Sequence, residues 1–156
     1  MVLSSSQKFW LVVLRMAIGW HFLYEGIAKL ANPNWSSVGY LLDSEGFLKG
    51  FFNNLASNSS VLSVVDQLNI WGLILIGLFL ITGFLCQYAM VAGISLLSLY
   101  YLSHPPFIGM RFAMPSEGSY LIVNKVFIEM IAMVVLFVFP TNRELGLDRF
   151  IFRSKK

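Results

Sequence analysis

The length of its apolar runs most constrains what this chain can fold into. Four stretches, at about 9–30, 64–83, 88–103 and 119–139, are dominated by apolar residues. A helix rises about 1.5 Å per residue, so about 20 such residues cross a hydrocarbon layer of roughly 30 Å. The runs therefore predict transmembrane helices. Composition agrees: 57% of the 156 residues are hydrophobic and 12% charged, too little polar surface for a soluble domain. The expectation is an all-α integral membrane protein, a four-helix bundle forming a single domain over 1–156. The first run is read as a retained helix rather than a signal-peptide core, because no small-residue cleavage site follows it.

Helix breakers set the boundaries. Asn32-Pro33-Asn34 ends the first run, His104-Pro105-Pro106 the third and Pro140 the fourth. A tight turn near Gly83 to Gln87 makes the second and third helices antiparallel neighbours. Between the first two runs, Phe47, Leu48, Phe51, Phe52 and Leu55 recur at helical spacing, with Lys49, Asn53 and Asn54 opposite. That pattern predicts a short amphipathic helix in the membrane interface, the alternative being a partly ordered loop.

Charge orients the chain. Lys8, Arg143, Arg149, Arg153, Lys155 and Lys156 lie on the side of the termini. The opposite loops mix Lys29, Lys49 and Arg111 with Asp43, Glu45, Asp66 and Glu117. The positive-inside rule then places both termini in the cytoplasm. A net charge of +3 makes nucleic acid a poor partner and membrane lipid a good one. Cys86 is the single cysteine, so an internal dithiol relay is excluded.

Ionisable side chains inside apolar helices are costly and should face the protein interior. In the first helix, Arg15, His21, Glu25 and Lys29 fall within an arc of about 120°, with Gly19 and Gly26 at its edge for close helix approach. The fourth run carries Asn124, Lys125 and Glu129. Lys125 and Glu129, one turn apart, can pair with each other or across the bundle with Glu25 and Lys29. With the inferred orientation, all of these except the deeper Arg15 gather in the outer half, beside Asp66, His104 and Arg111. Nothing in the spacing indicates a metal site or a nucleotide fold. Trp71, Tyr100 and Tyr101 are read as interfacial anchors, His104 as a helix end, and Cys86 as an incidental thiol.

The stretch from Leu14 to Leu30, with Gly19-Trp20-His21-Phe22, Tyr24-Glu25-Gly26 and Lys29, resembles the first helix of the DoxX family. Val123-Asn124-Lys125-Val126-Phe127-Ile128-Glu129-Met130 resembles its fourth-helix motif. Pro140-Thr141-Asn142-Arg143 with Gly146-Leu147-Asp148 is similar to the tail of the DoxD-type small subunit of thiosulfate:quinone oxidoreductase. The resemblance implies a multi-pass protein of the prokaryotic cytoplasmic membrane that works with a second subunit to pass electrons to quinone. The matching polar positions are Arg15, Glu25, Lys29, Asn124, Lys125 and Glu129.

These residues then carry an expectation of mechanism. Glu25 and Glu129 would relay protons, with Lys29 and Lys125 as cationic partners and Asn124 orienting a quinone head group. His21, Arg15, Asp66 and Arg111 complete the candidate quinone site. An extracytoplasmic or membrane oxidoreductase partner would supply electrons, and a homo-oligomer is left open. The alternative is a non-catalytic anchor or assembly factor whose ionic cluster only holds the bundle together.

Overall fold

The computed structural model describes residues 3–113, 121–142 and 145–151, and among these the regular structure is entirely helical. The predicted helix start at Ser119 lies outside the described residues, as do Glu117, Arg143, Arg153, Lys155 and Lys156. The long first helix, α1, spans Ser5–Ala31. A capping box starts it: Gln7 N–H donates to Ser4 Oγ (3.3 Å) and Ser4 N–H to Gln7 Oε1 (2.8 Å). Asn32, preceding Pro33, ends it.

Two short helices follow, α2 (Val38–Leu42) and α3 (Lys49–Ser57). The amphipathic segment is thus a real helix. Phe52 is buried beneath it, while Phe47 and Phe51 stay exposed. Asn58 ends α3 and caps α4 (Ser59–Thr82), its Oδ1 accepting from Ser60 and Val61 N–H. The second long helix therefore begins more than a turn before the predicted Val64, because the cap lies in polar sequence that hydropathy passes over. Gly83, in the left-handed region at φ 68°, stops α4. The chain then turns directly into α5 (Cys86–Ser103), with His104 at its end as expected.

The fourth helix differs from expectation. It is α6, Lys125–Val138, and Asn124 precedes it as the cap, its Oδ1 accepting from Phe127 N–H at 2.9 Å. Leu121, at φ 64°, and the turn around it interrupt any helical path from further upstream. At 14 residues, α6 is about 21 Å long, short of the hydrocarbon thickness. The helices long and apolar enough to cross a membrane are α1, α4 and α5, with mean hydropathies of 1.3, 2.0 and 1.2. A last turn, α7, covers Asp148–Ile151.

The long helices pack in a cycle: α1 on α4, α4 on α5, α5 on α6, and α6 back on α1. Small residues set the closest seam. A Cβ on Gly77 would lie 2.5 Å from Leu23 N and 2.6 Å from Gly19 O, and one on Gly26 would strike Ile74. Gly93 on α5 likewise accepts the Met133 side chain of α6. Inside lie Phe22, Leu73, Leu80, Met90, Met133 and Leu136. The outside is apolar too: Val13, Met16, Trp20 and Ile27 on α1 and Val64, Leu68, Trp71 and Leu75 on α4 are exposed. Stripes of that kind at helical spacing suit lipid and would be untenable in water.

Candidate functional site

Two polar clusters lie along α1, one near its middle at Arg15 and one at its C-terminal end at Lys29, about 21 Å apart along the axis. The outer one centres on Lys29, whose side chain is only 18% exposed. Its Nζ donates to Asn69 Oδ1 on α4 (3.2 Å) and stands 3.8 Å from Glu25 Oε2. It also sits over the rings of Trp35 (5.3 Å) and Tyr100 (5.7 Å), which stabilise a cation by their π faces. Asn69 Nδ2 in turn donates to the Tyr100 hydroxyl at 2.6 Å. The phenolic oxygen accepts there, so its own O–H remains a donor for another group.

Two cavities meet Lys29 and Tyr100. One, of about 300 Å³, is lined by Glu25, Lys29, Trp35, Tyr40, Asn69 and Tyr100, with Ser36 and Ser37. The other, of about 190 Å³, runs inward between α1 and α6 past His21, Leu73, Leu97 and Glu129. There the His21 ring, at Nδ1, is hydrogen-bonded to Glu129 Oε1 at 2.8 Å. His21 and Glu25 are the exposed members of this group, whereas Glu129 is largely covered. The arrangement offers a cation, hydroxyl and amide donors, and carboxylate acceptors around space that a small polar ring can fill.

A shell of polar contacts roofs the outer cluster. Tyr40 O–H donates to the Tyr100 carbonyl (3.3 Å), and its ring stacks on His104 at 4.0 Å. Burial pushes the Tyr40 phenol well above its ordinary value, so it keeps its proton and stays a donor. His104 bonds Ser103 Oγ through Nδ1 and faces Asp43 with Nε2, 3.7 Å from Oδ2. Burial lowers the His104 pKa below 6.5, with Asp43 partly opposing. Asp66 accepts from Ser37 N–H (2.9 Å) and Ser37 Oγ, tying the segment before α2 to α4.

The inner cluster is built differently. Arg15, 2% exposed, donates from Nη1 to Thr141 Oγ1 (3.1 Å) and from Nη2 to the Leu145 carbonyl (2.7 Å). Asp148, equally buried, accepts from Leu85 N–H (2.8 Å), Cys86 N–H (3.2 Å) and Asn142 Nδ2. Gly146 packs directly on Gly83. This is a clasp that holds the tail against the α4–α5 turn, with the Cys86 thiol fully buried under it.

Placed on this geometry, the sequence candidates separate. Glu25, Lys29, His21 and Glu129 converge on the two cavities. Arg15 is in the inner clasp, far from them. Asn124 uses its side-chain oxygen to cap α6, and Asp66 fastens Ser37. Lys125 and Arg111 are exposed, and neither lines the two cavities. The partner of Glu129 across the bundle is His21 rather than Lys29. Sequence reasoning missed Asn69, Tyr40 and Trp35, and it took Tyr100 for an interfacial anchor. Asn69 carried a usable signal, an amide inside an apolar helix; Tyr40 and Trp35, in loop-like sequence, carried none.

Apolar outer faces and a polar cluster enclosed between helices define a multi-pass membrane protein with a hydrophilic interior site. Within that class the chain belongs to the DoxX family, whose model matches residues 10–104, from α1 through α5. The α6 motif and the tail lie beyond the matched span. No curated protein and no solved structure matches the chain.

Proposed function

We propose that this chain is the quinone-interacting membrane subunit of an oxidoreductase, receiving electrons from an extracytoplasmic partner. The observation that carries the reading is the Lys29–Asn69–Tyr100 chain of hydrogen-bonding groups at the wall of the larger cavity, with Glu25 beside it. The donor set fits a quinone ring: Lys29 Nζ and the Tyr100 hydroxyl suit its carbonyl oxygens, and Trp35 supplies a flat face. Quinone, when bound, takes up electrons and protons. Glu25, half exposed, is placed to exchange protons between the cavity and the surroundings. Glu129, held by His21, stands at the end of the inner cavity as a second acceptor. In this reading α6 completes a four-helix membrane bundle in a prokaryotic cytoplasmic membrane. Both termini face the cytoplasm, and the segment from α2 to α4 meets the partner.

A second reading has one observation in its favour. Glu129, Lys29 and Asp66 all have partners within the protein, as they would in a non-catalytic anchor or assembly factor. Purification in mild detergent, with extraction of bound quinone and identification of co-purifying proteins, separates the two. Bound quinone that is lost in Glu25→Gln and Lys29→Met variants of unchanged thermal stability supports the first. Quinone-free protein, with Glu25→Gln and Glu129→Gln variants that fold and keep the organism's phenotype, sinks it.

A further inference from the structure

A third cavity, of about 250 Å³, lies beneath α3 and is almost wholly apolar. Leu41, Phe51, Phe52, Leu55, Val65 and Leu68 line it. It shares Ser37, Tyr40, Asn69 and Tyr100 with the Lys29 cavity, so the two spaces have a common wall. Phe51, Leu68 and Leu99 line it while remaining exposed, so it opens at the surface where α3, α4 and α5 meet. An apolar space of this size, left empty, forfeits the dispersion contacts of its lining, and water there finds few polar partners.

We infer that the paired cavities form one binding site for an amphiphile. Its hydrogen-bonding ring lies against Lys29, Tyr100 and Trp35, and its isoprenoid or alkyl tail lies under α3. The charge at the polar end selects the head. Lys29 and Glu25 sit 3.8 Å apart, so the chamber offers a cation already offset by a carboxylate. That suits a neutral ring with carbonyl oxygens and disfavours a phospholipid phosphate, which needs the cation uncompensated. Of the two chambers, Lys29, Glu25 and Trp35 line only the polar one and Leu41, Phe52, Leu55 and Val65 only the apolar one, which fixes the order of head and tail. The interfacial helix α3, set by the Phe52 anchor, then forms the roof of the tail chamber.

The inference rests on the quinone reading, and two photoaffinity probes keep their failures apart. One is a tail-less azido-benzoquinone; the other is a benzoquinone with a diazirine at the end of an alkyl tail. Both are applied to the full chain in nanodiscs and mapped by mass spectrometry. The ring probe is expected to label residues 25–40, and the tail probe residues 49–68, each competed by unlabelled quinone. Val65→Phe, which fills the apolar chamber from α4, should cut tail-probe labelling of α3 by about tenfold and leave ring labelling in place. Lys29→Met should abolish competed labelling by both.

If competed ring labelling at 25–40 persists while the tail probe marks lipid-facing residues such as Trp20 or Tyr88, the tail chamber is wrong and the quinone reading stands. The tail chamber is equally wrong if Val65→Phe changes nothing, or if a photoreactive phospholipid labels α3 as strongly and quinone does not displace it. Absence of any competed labelling overturns both.

Discussion

Gly72 and Gly77 lie five positions apart on α4 and meet opposite surroundings. A Cβ at Gly77 would collide with the backbone of α1, whereas one at Gly72 meets nothing within 4 Å. Gly77→Ala is therefore expected to destabilise the protein by about 1–3 kcal/mol, and Gly72→Ala to be neutral or stabilising by up to about 1 kcal/mol. Thermal unfolding in detergent reads both; equal effects would show that α1 and α4 are not in backbone contact. His104 gives a residue-scale pH effect. Its pKa is lowered on folding by burial between Tyr40 and Phe112. Between that value and the ordinary 6.5 the unfolded chain binds more protons, so its contribution is complete above 6.5 and declines as pH falls. The melting temperature should drop from about pH 7 to about pH 5, and less steeply in His104→Gln. Of these residues, the sequence marked Gly19 and Gly26 for close packing but not Gly77, because one small residue in an apolar run does not show which face it occupies.

At the scale of elements, α5 depends on a residue 62 positions away from its first. Leu85 precedes it at φ 45° with no side-chain cap of its own, and Asp148 accepts the Leu85 and Cys86 N–H groups instead. Asp148→Ala should cost about 1–3 kcal/mol, with Asp148→Asn milder because it keeps one acceptor. Limited proteolysis should then cut the chain after Pro140. Arg15→Met should expose the same sites, and the double variant should be less than additive, since both residues hold one tail. Additive losses would separate the two contacts. The start of α6 is likewise set by particular residues. Apolar residues continue upstream of Lys125, yet Leu121 in the left-handed region and the Asn124 cap decide where the helix begins. Hydropathy responds to burial in lipid and is blind to a cap.

Across the whole molecule, the α1–α6 seam closes the cycle of helices, and His21–Glu129 is a polar contact bridging it. A double-mutant cycle with His21→Ala and Glu129→Gln should give a coupling of about 0.6 kcal/mol, reaching at most about 1.7 kcal/mol. No coupling would mean that the seam is held by apolar packing alone. The sequence by itself determined that the protein belongs in a membrane, that its first helix gathers its charges on one side, and that α3 is amphipathic. Those properties follow from periodicity and length, which are local. Only the tertiary structure decided that Arg15 and Lys29, on one face of one helix, serve different clusters, and that Asn69, Tyr40 and Tyr100 surround Lys29. Such pairings join residues tens of positions apart. Their geometry depends on which small residues let two helices approach and on where the tail is clasped, and no window of sequence contains that information.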